Sequence, residues 1–178
     1  MPEAEMDAIA PSQTTISVLR AIAHAGFAYQ PTKELAATAR WELVDDELGL
    51  GFVRYEMFLT PGQDGRRSLT VLVRDSGEPT CAFIPLFYFE DYEVGREPFD
   101  RAFRSLCEQL IGVLGPPLQS GTYSYPHRAE WSYGYAGWAL ADVTLVLAQD
   151  EFDIQFGMDI SLWVQPAGTA VKVPVRTL

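Results

Sequence analysis

The sequence predicts an α+β fold: a two-layer domain in which a twisted, mainly antiparallel sheet carries two principal helices packed on one face. Two observations lead there. Apolar positions recur with a helical period over 14–25 and again from Pro98 to Leu114, and with a period of two over most of the remaining chain. The elements also follow one another as helix, meander, long helix and hairpin, an order in which neighbouring strands close into antiparallel pairs. At 178 residues the chain suits a single domain over 14–178, behind a flexible acidic leader over 1–13. Folding at this size buries about 70% of the unfolded surface, so no disulfide or metal is needed to hold the core.

The first helix is read from Ile16, Leu19, Ile22 and Ala23, with Thr14 or Thr15 as its cap and Gly26 as its left-handed stop. Pro31 opens a short helical turn through Glu34 and Ala37. From Trp41 the period changes. Trp41 and Leu43 form a strand, Asp45, Asp46 and Glu47 a turn, and Val53, Tyr55, Met57 and Leu59 a second strand. Pro61 to Gly65 makes a hairpin connection, Leu69, Val71 and Val73 return, and Asp75 to Pro79 turns again. Cys81 to Phe89 is apolar at both parities and so reads as a central strand, with Pro85 requiring a bulge or a sheet margin.

Pro98 begins the long helix, whose stripe runs through Phe99, Ala102, Phe103, Leu106, Leu110, Val113 and Leu114, widened by Cys107 and Ile111. Gly115 followed by Pro116 and Pro117 ends it. The last third reads as a strand over 137–148, a turn at 149–151, and then the strongest alternation in the chain. Phe152, Ile154, Phe156, Met158, Ile160, Leu162 and Val164 occupy even positions, and Asp153, Gln155, Asp159 and Ser161 occupy odd ones. That run is too long for one strand, so a bend at Gly157 or two consecutive strands is expected, the odd residues facing water. Val171, Val173 and Val175 read as an edge strand blunted by Lys172, Pro174 and Arg176.

Charge and motif chemistry narrow the function. Thirteen Lys and Arg against 24 Asp and Glu give a net charge of −11. That sign opposes nucleic acid and anionic membranes, both of which require clustered cations, and favours a basic partner. The acidic N-terminal residues differ from a secretion signal, and no apolar run approaches a bilayer span, so a soluble cytoplasmic protein is expected. Cys81 and Cys107 read as free thiols. His24 and His127 lack ligand-spaced companions, the carboxylates near 150 lack the order of a calcium loop, and no phosphate-binding or nucleophile-elbow motif occurs, so neither metal nor cofactor is expected.

Two surfaces remain as candidate sites. The segment 118–138 gathers Tyr123, Tyr125, His127, Arg128, Trp131, Tyr133, Tyr135 and Trp138 among small residues, a composition suited to recognising protein, peptide or sugar. Trp131, Tyr133 and Tyr135 share odd parity, however, and fit equally the packed face of a strand. The second surface is acidic: Asp150, Glu151 and Asp153 at the expected hairpin, and Glu90, Asp91, Glu93 and Glu97 before the long helix, where Arg96, Arg101 and Arg104 offset the charge. The resulting expectation is a small acidic module that binds a protein, in the manner of bacterial immunity proteins and secretion chaperones of like size and charge. Two alternatives stand beside it: a small-molecule enzyme using His127 and Glu130 as an oriented base in an aromatic pocket, and a structural subunit that forms a homodimer.

Overall fold

The computed structural model describes residues 8–47, 52–58, 66–73, 79–89, 95–125, 128–153 and 157–173. Its elements are α1 (Gln13–His24), α2 (Tyr29–Thr38), β1 (Glu42–Glu47), β2 (Phe52–Phe58), β3 (Arg66–Val73), β4 (Pro79–Phe89), α3 (Glu97–Leu114), β5 (Gln119–Tyr125), β6 (Arg128–Ala139), β7 (Val143–Asp153) and β8 (Gly157–Pro166). The chain is thus a mixed fold with an eight-stranded sheet in the order β1-β2-β3-β4-β8-β7-β6-β5. Every recorded pairing is antiparallel. Each half of the sheet is a four-stranded meander, and the last strands of the two halves, β4 and β8, pair at the centre.

Helix boundaries follow local chemistry. Ser12, rather than Thr14 or Thr15, caps α1 by accepting the Thr15 backbone N–H at 3.2 Å. The expected αL stop at Gly26 (φ 65°) is present, and Phe27 follows it into the same region at φ 57° while its ring is buried. The short turn expected after Pro31 is a ten-residue helix, α2. It ends with Trp41 N–H bonded to the Ala36 carbonyl at 2.8 Å around Arg40, whose φ is +61°. In α3 the buried stripe is Phe99, Ala102, Leu106 and Leu110, whereas Ile111 and Val113 face solvent, so the stripe is narrower than the sequence suggested. Ala8 and Ala10 are tied to α3 by Gln109, which accepts from Ala10 N–H at 3.0 Å and donates to the Ala8 carbonyl at 2.8 Å.

Several strand boundaries correct the sequence reading. Asp45, Asp46 and Glu47 extend β1 instead of turning. The segment 137–148 is divided between β6 and β7 at residues 140–142. Gln149 to Glu151 lies inside β7, which runs to Asp153, and β8 starts at Gly157; residues 154–156 lie outside the described residues, as do Leu59, Pro61–Gly65, Asp75–Gly77 and Val175. Val171 and Val173 are half-buried but belong to no strand. Pro85 does coincide with a register shift between β4 and β8, where its missing N–H is tolerated. Gly157 opens β8 at φ +132°, and a Cβ there would come within 2.8 Å of the Phe89 carbonyl oxygen.

Packing explains the central alternation. The larger buried cluster joins Leu19 and Ile22 of α1 and Phe99 and Leu106 of α3 to Leu145, Leu147, Ile160 and Leu162. A smaller cluster on the other parity holds Val146, Ala148 and Trp163, with Phe83, Tyr135, Val171 and Val173 packed on it. Met158, Ile160, Leu162 and Val164 are buried as expected, but so are Asp159 and Ser161, because β8 is covered on both faces.

Candidate functional site

At the end of the sheet where β5, β7 and β4 finish, the antiparallel ladder between β6 and β7 is recorded only from Ala139/Thr144 to Tyr135/Ala148. Beyond it, side chains bond the strands. The Tyr123 hydroxyl donates to the Gln149 carbonyl, the Gln149 Oε1 accepts the Gly134 backbone N–H at 2.7 Å, and Gln149 Nε2 donates to Asp100 Oδ1 on α3 at 2.9 Å. One amide thus links β6, β7 and α3, meeting backbone groups that burial would otherwise leave costly.

Around Gln149 the acidic and aromatic residues pair with one another. The Tyr125 hydroxyl donates to Asp150 Oδ1, which also accepts the Glu151 N–H at 2.8 Å, and the Tyr133 hydroxyl donates to Glu151. On β8, Ser161 Oγ donates to Asp159 Oδ2 at 2.6 Å, and Asp159 is the register partner of Asp150. The rings of Tyr123, Tyr125 and Tyr133 lie with centroids 5.6 Å apart in edge-on and tilted pairs, so phenol edges meet ring faces. Exposure is 0% for Asp150 and Asp159 and 4% for Glu151.

The electrostatics follow from this enclosure. Burial, then the neighbouring Asp150, pushes the Tyr123 phenol well above its ordinary range, and burial with the hydrogen bond to Asp150 does the same for Tyr125. Both stay protonated at neutral pH and act as donors, not bases. Beside them, Arg96 holds Asp100 through two contacts of 2.9 Å, donates to the Ser132 carbonyl at 2.6 Å, and lies 5.6 Å from the Trp131 ring centroid. Burial alone would raise the Asp100 carboxyl, but hydrogen bonds from Arg96 and Gln149 outweigh it and leave it below the usual range.

Among the candidate residues, Tyr125, Tyr133, Asp150 and Glu151 are therefore interior, which corrects the expectation of an exposed acidic hairpin. Tyr123, Trp131 and Tyr135 are half-buried, and the Tyr135 hydroxyl accepts from Gln119 Nε2 at 2.8 Å. His127, Glu90, Asp91 and Glu93 lie outside the described residues, as do the side chains of Arg128, Glu130 and Asp153, the backbone of these last three lying in strands. Glu97 is exposed and pairs with Arg104 at 3.0 Å.

Sequence reasoning missed Gln149, Asp100, Asp159 and Ser161. A signal was present: Val143 to Ala148 is apolar at both parities, and a strand covered on both faces implies similar cover for its neighbour. Among the described residues no group of three or more His, Cys, Asp and Glu could hold a metal ion, and no helix is long and apolar enough to cross a membrane. Comparison of the chain with protein-family models, curated proteins and solved structures finds no match.

Proposed function

We propose that the protein is a non-catalytic binding module that recruits an extended segment of a partner protein along the outer edge of β5. The observation that carries this reading is a contrast between the two sheet edges. In β1 the side chain of Glu42 is exposed and the sequence continues through Asp45, Asp46 and Glu47, residues of the charged kind that natural edge strands use against further pairing. β5 presents Gln119, Ser120, Gly121 and Thr122, exposed, uncharged and without proline. An added strand would find unpaired main-chain donors and acceptors there. Apolar side chains flank the start of β5: Leu118 is 73% exposed, and Ile111 and Val113 are exposed at the end of α3. The net charge of −11 supports a basic partner, of the kind bound by immunity proteins and secretion chaperones of similar size.

The same reading places α1 and α3 together on one face of a two-layer domain, supported by their common membership of the larger buried cluster. A cytoplasmic setting is supported by two free cysteines, one of which, Cys107, has its thiol pushed by burial up to about 11 and is inert at neutral pH. The phenols of Tyr123, Tyr125 and Tyr133 donate to a backbone carbonyl and to two carboxyl groups, which supports a packing role for these three residues over a catalytic one.

Capture from the source lysate with three baits tests the edge. Wild type and the charge-matched control Gln13→Lys with Ala37→Lys should retain a partner, more strongly at low salt. Ser120→Lys with Thr122→Lys, which places cations along the open edge, should lose it while its circular dichroism stays that of wild type. Equal retention by the edge variant would remove β5 from the interface. A species of twice the chain mass that disappears with the edge variant would make a second copy the occupant.

A further inference from the structure

A separate feature lies far from the tyrosine cluster in sequence. α1 and α2 enclose a groove of about 780 Å³, within the range of small-molecule sites. Its wall is apolar, formed by Val18 and Ala21 of α1, Leu35 and Ala39 at the end of α2, and Trp41 just beyond. Thr15, Ser17 and Thr38 line it as well.

Arg40 completes the lining, and it is an unexpected residue for its backbone. It occupies the left-handed position that ends α2, at φ +61°, where glycine or asparagine is favoured because a Cβ crowds the following carbonyl. Its side chain is exposed and makes no ion pair or hydrogen bond among the described residues. The other cations of these helices are engaged: Arg20 is held by Asp142 at 2.9 Å, and Lys33 lies 5.5 Å from the Tyr29 ring centroid. Arg40 thus stands at a strained position on the rim of an apolar groove, with its side-chain donors unpaired among the described residues.

We propose that the α1/α2 groove binds a small amphipathic carboxylate, its hydrocarbon body against Val18, Leu35, Ala39 and Trp41 and its carboxylate on the Arg40 guanidinium. The guanidinium fork matches the two carboxylate oxygens, and the apolar wall offers burial to the hydrocarbon body. A chain of net charge −11 repels anions at long range, so the ligand is one whose affinity comes chiefly from its apolar body, with the carboxylate fixing its orientation. This site is independent of β5, and neither reading depends on the other.

Decanoate and decanol, titrated calorimetrically into the full chain, separate the two parts of the contact. Wild type should bind decanoate saturably and about tenfold more tightly than decanol, the ordinary advantage of a charge-assisted hydrogen bond. Arg40→Gln should abolish that preference while decanol binding is unchanged. Arg40→Gly, which suits the left-handed backbone and so keeps α2 folded, should do the same. Ala39→Trp, which fills the groove, should weaken both ligands. Equal binding of the two ligands by wild type, no saturable binding of decanoate, or a preference that survives in Arg40→Gly would each overturn the assignment.

Discussion

Asp150 shows how a carboxylate is kept inside this protein. Its Oδ1 accepts from the Tyr125 hydroxyl and from the Glu151 N–H, and a polar group removed from water is tolerable only with such partners. In the sequence, the odd parity of Trp131, Tyr133 and Tyr135 reads as one packed strand face, but only Trp131 and Tyr133 join the larger cluster, with Tyr133 fully buried, whereas Tyr135 packs on the smaller one. The inward position of Asp150 and Glu151 was not legible, because an acidic residue betrays nothing of a phenol arriving from a strand some 20 positions away. The phenols also set a pH dependence. Tyr123 and Tyr125 are raised in the folded protein above the unfolded value of about 10. The folded state therefore holds these protons more tightly, so their contribution is complete below pH about 10 and is lost as pH rises beyond it. Urea melts should show stability falling there by up to about 1.4 kcal/mol per pH unit for each phenol. In ultraviolet titration these two of the eight tyrosines should ionise only as the chain unfolds, and replacing both with Phe should flatten the alkaline arm. Ionisation of all eight before unfolding would contradict the enclosure described.

At the scale of elements, the local signals that succeeded were those backed by period and by a stop. The stripe of α3 ends at Gly115 with φ 80°, and the even positions of β8 are buried as its alternation implies, although its odd positions are buried as well. The failures lie where tertiary cover overrides a local preference. Gln149, Asp150 and Glu151 are turn-favouring in composition, yet they continue β7 because β8 pairs along their whole length and α3 reaches Gln149 through Asp100. That seating of α3 depends on a close approach. A Cβ at Gly134 of β6 would come within 2.7 Å of the Phe103 ring. Gly134→Ala should therefore push α3 outward and cost about 1–3 kcal/mol. In a Phe103→Leu background, which shortens the obstructing side chain, most of that cost should vanish, and urea denaturation of the four proteins of the cycle gives the coupling directly. An equal cost in both backgrounds would place the penalty in the β6 backbone and not in the contact with α3.

For the whole molecule, the hairpin neighbours β1 to β4 followed from chain order, but the pairing that unites the sheet did not. β4 and β8 are distant in sequence, and nothing in the local pattern of either names the other as partner; only the apolar residues at both parities of Cys81–Phe89 implied that some strand and some cover had to be found. Their junction is tightly filled: Ala82 faces Val164, Ile84 faces Leu162, and all four side chains are fully buried. The register slips at Pro85 and then resumes through Phe87 to Phe89, so the two meanders share a ladder on both sides of the bulge. A shared core makes the halves thermodynamically inseparable, since neither can expose this seam without losing the apolar burial that stabilises it. Calorimetry of the full chain should accordingly give one transition with matching calorimetric and van't Hoff enthalpies. Ile84→Ala, at the centre of the seam, should lower that single transition by an amount equivalent to about 2–5 kcal/mol without splitting it. Two resolved peaks, in either protein, would mean that the meanders fold as separate units and that β4 and β8 merely abut.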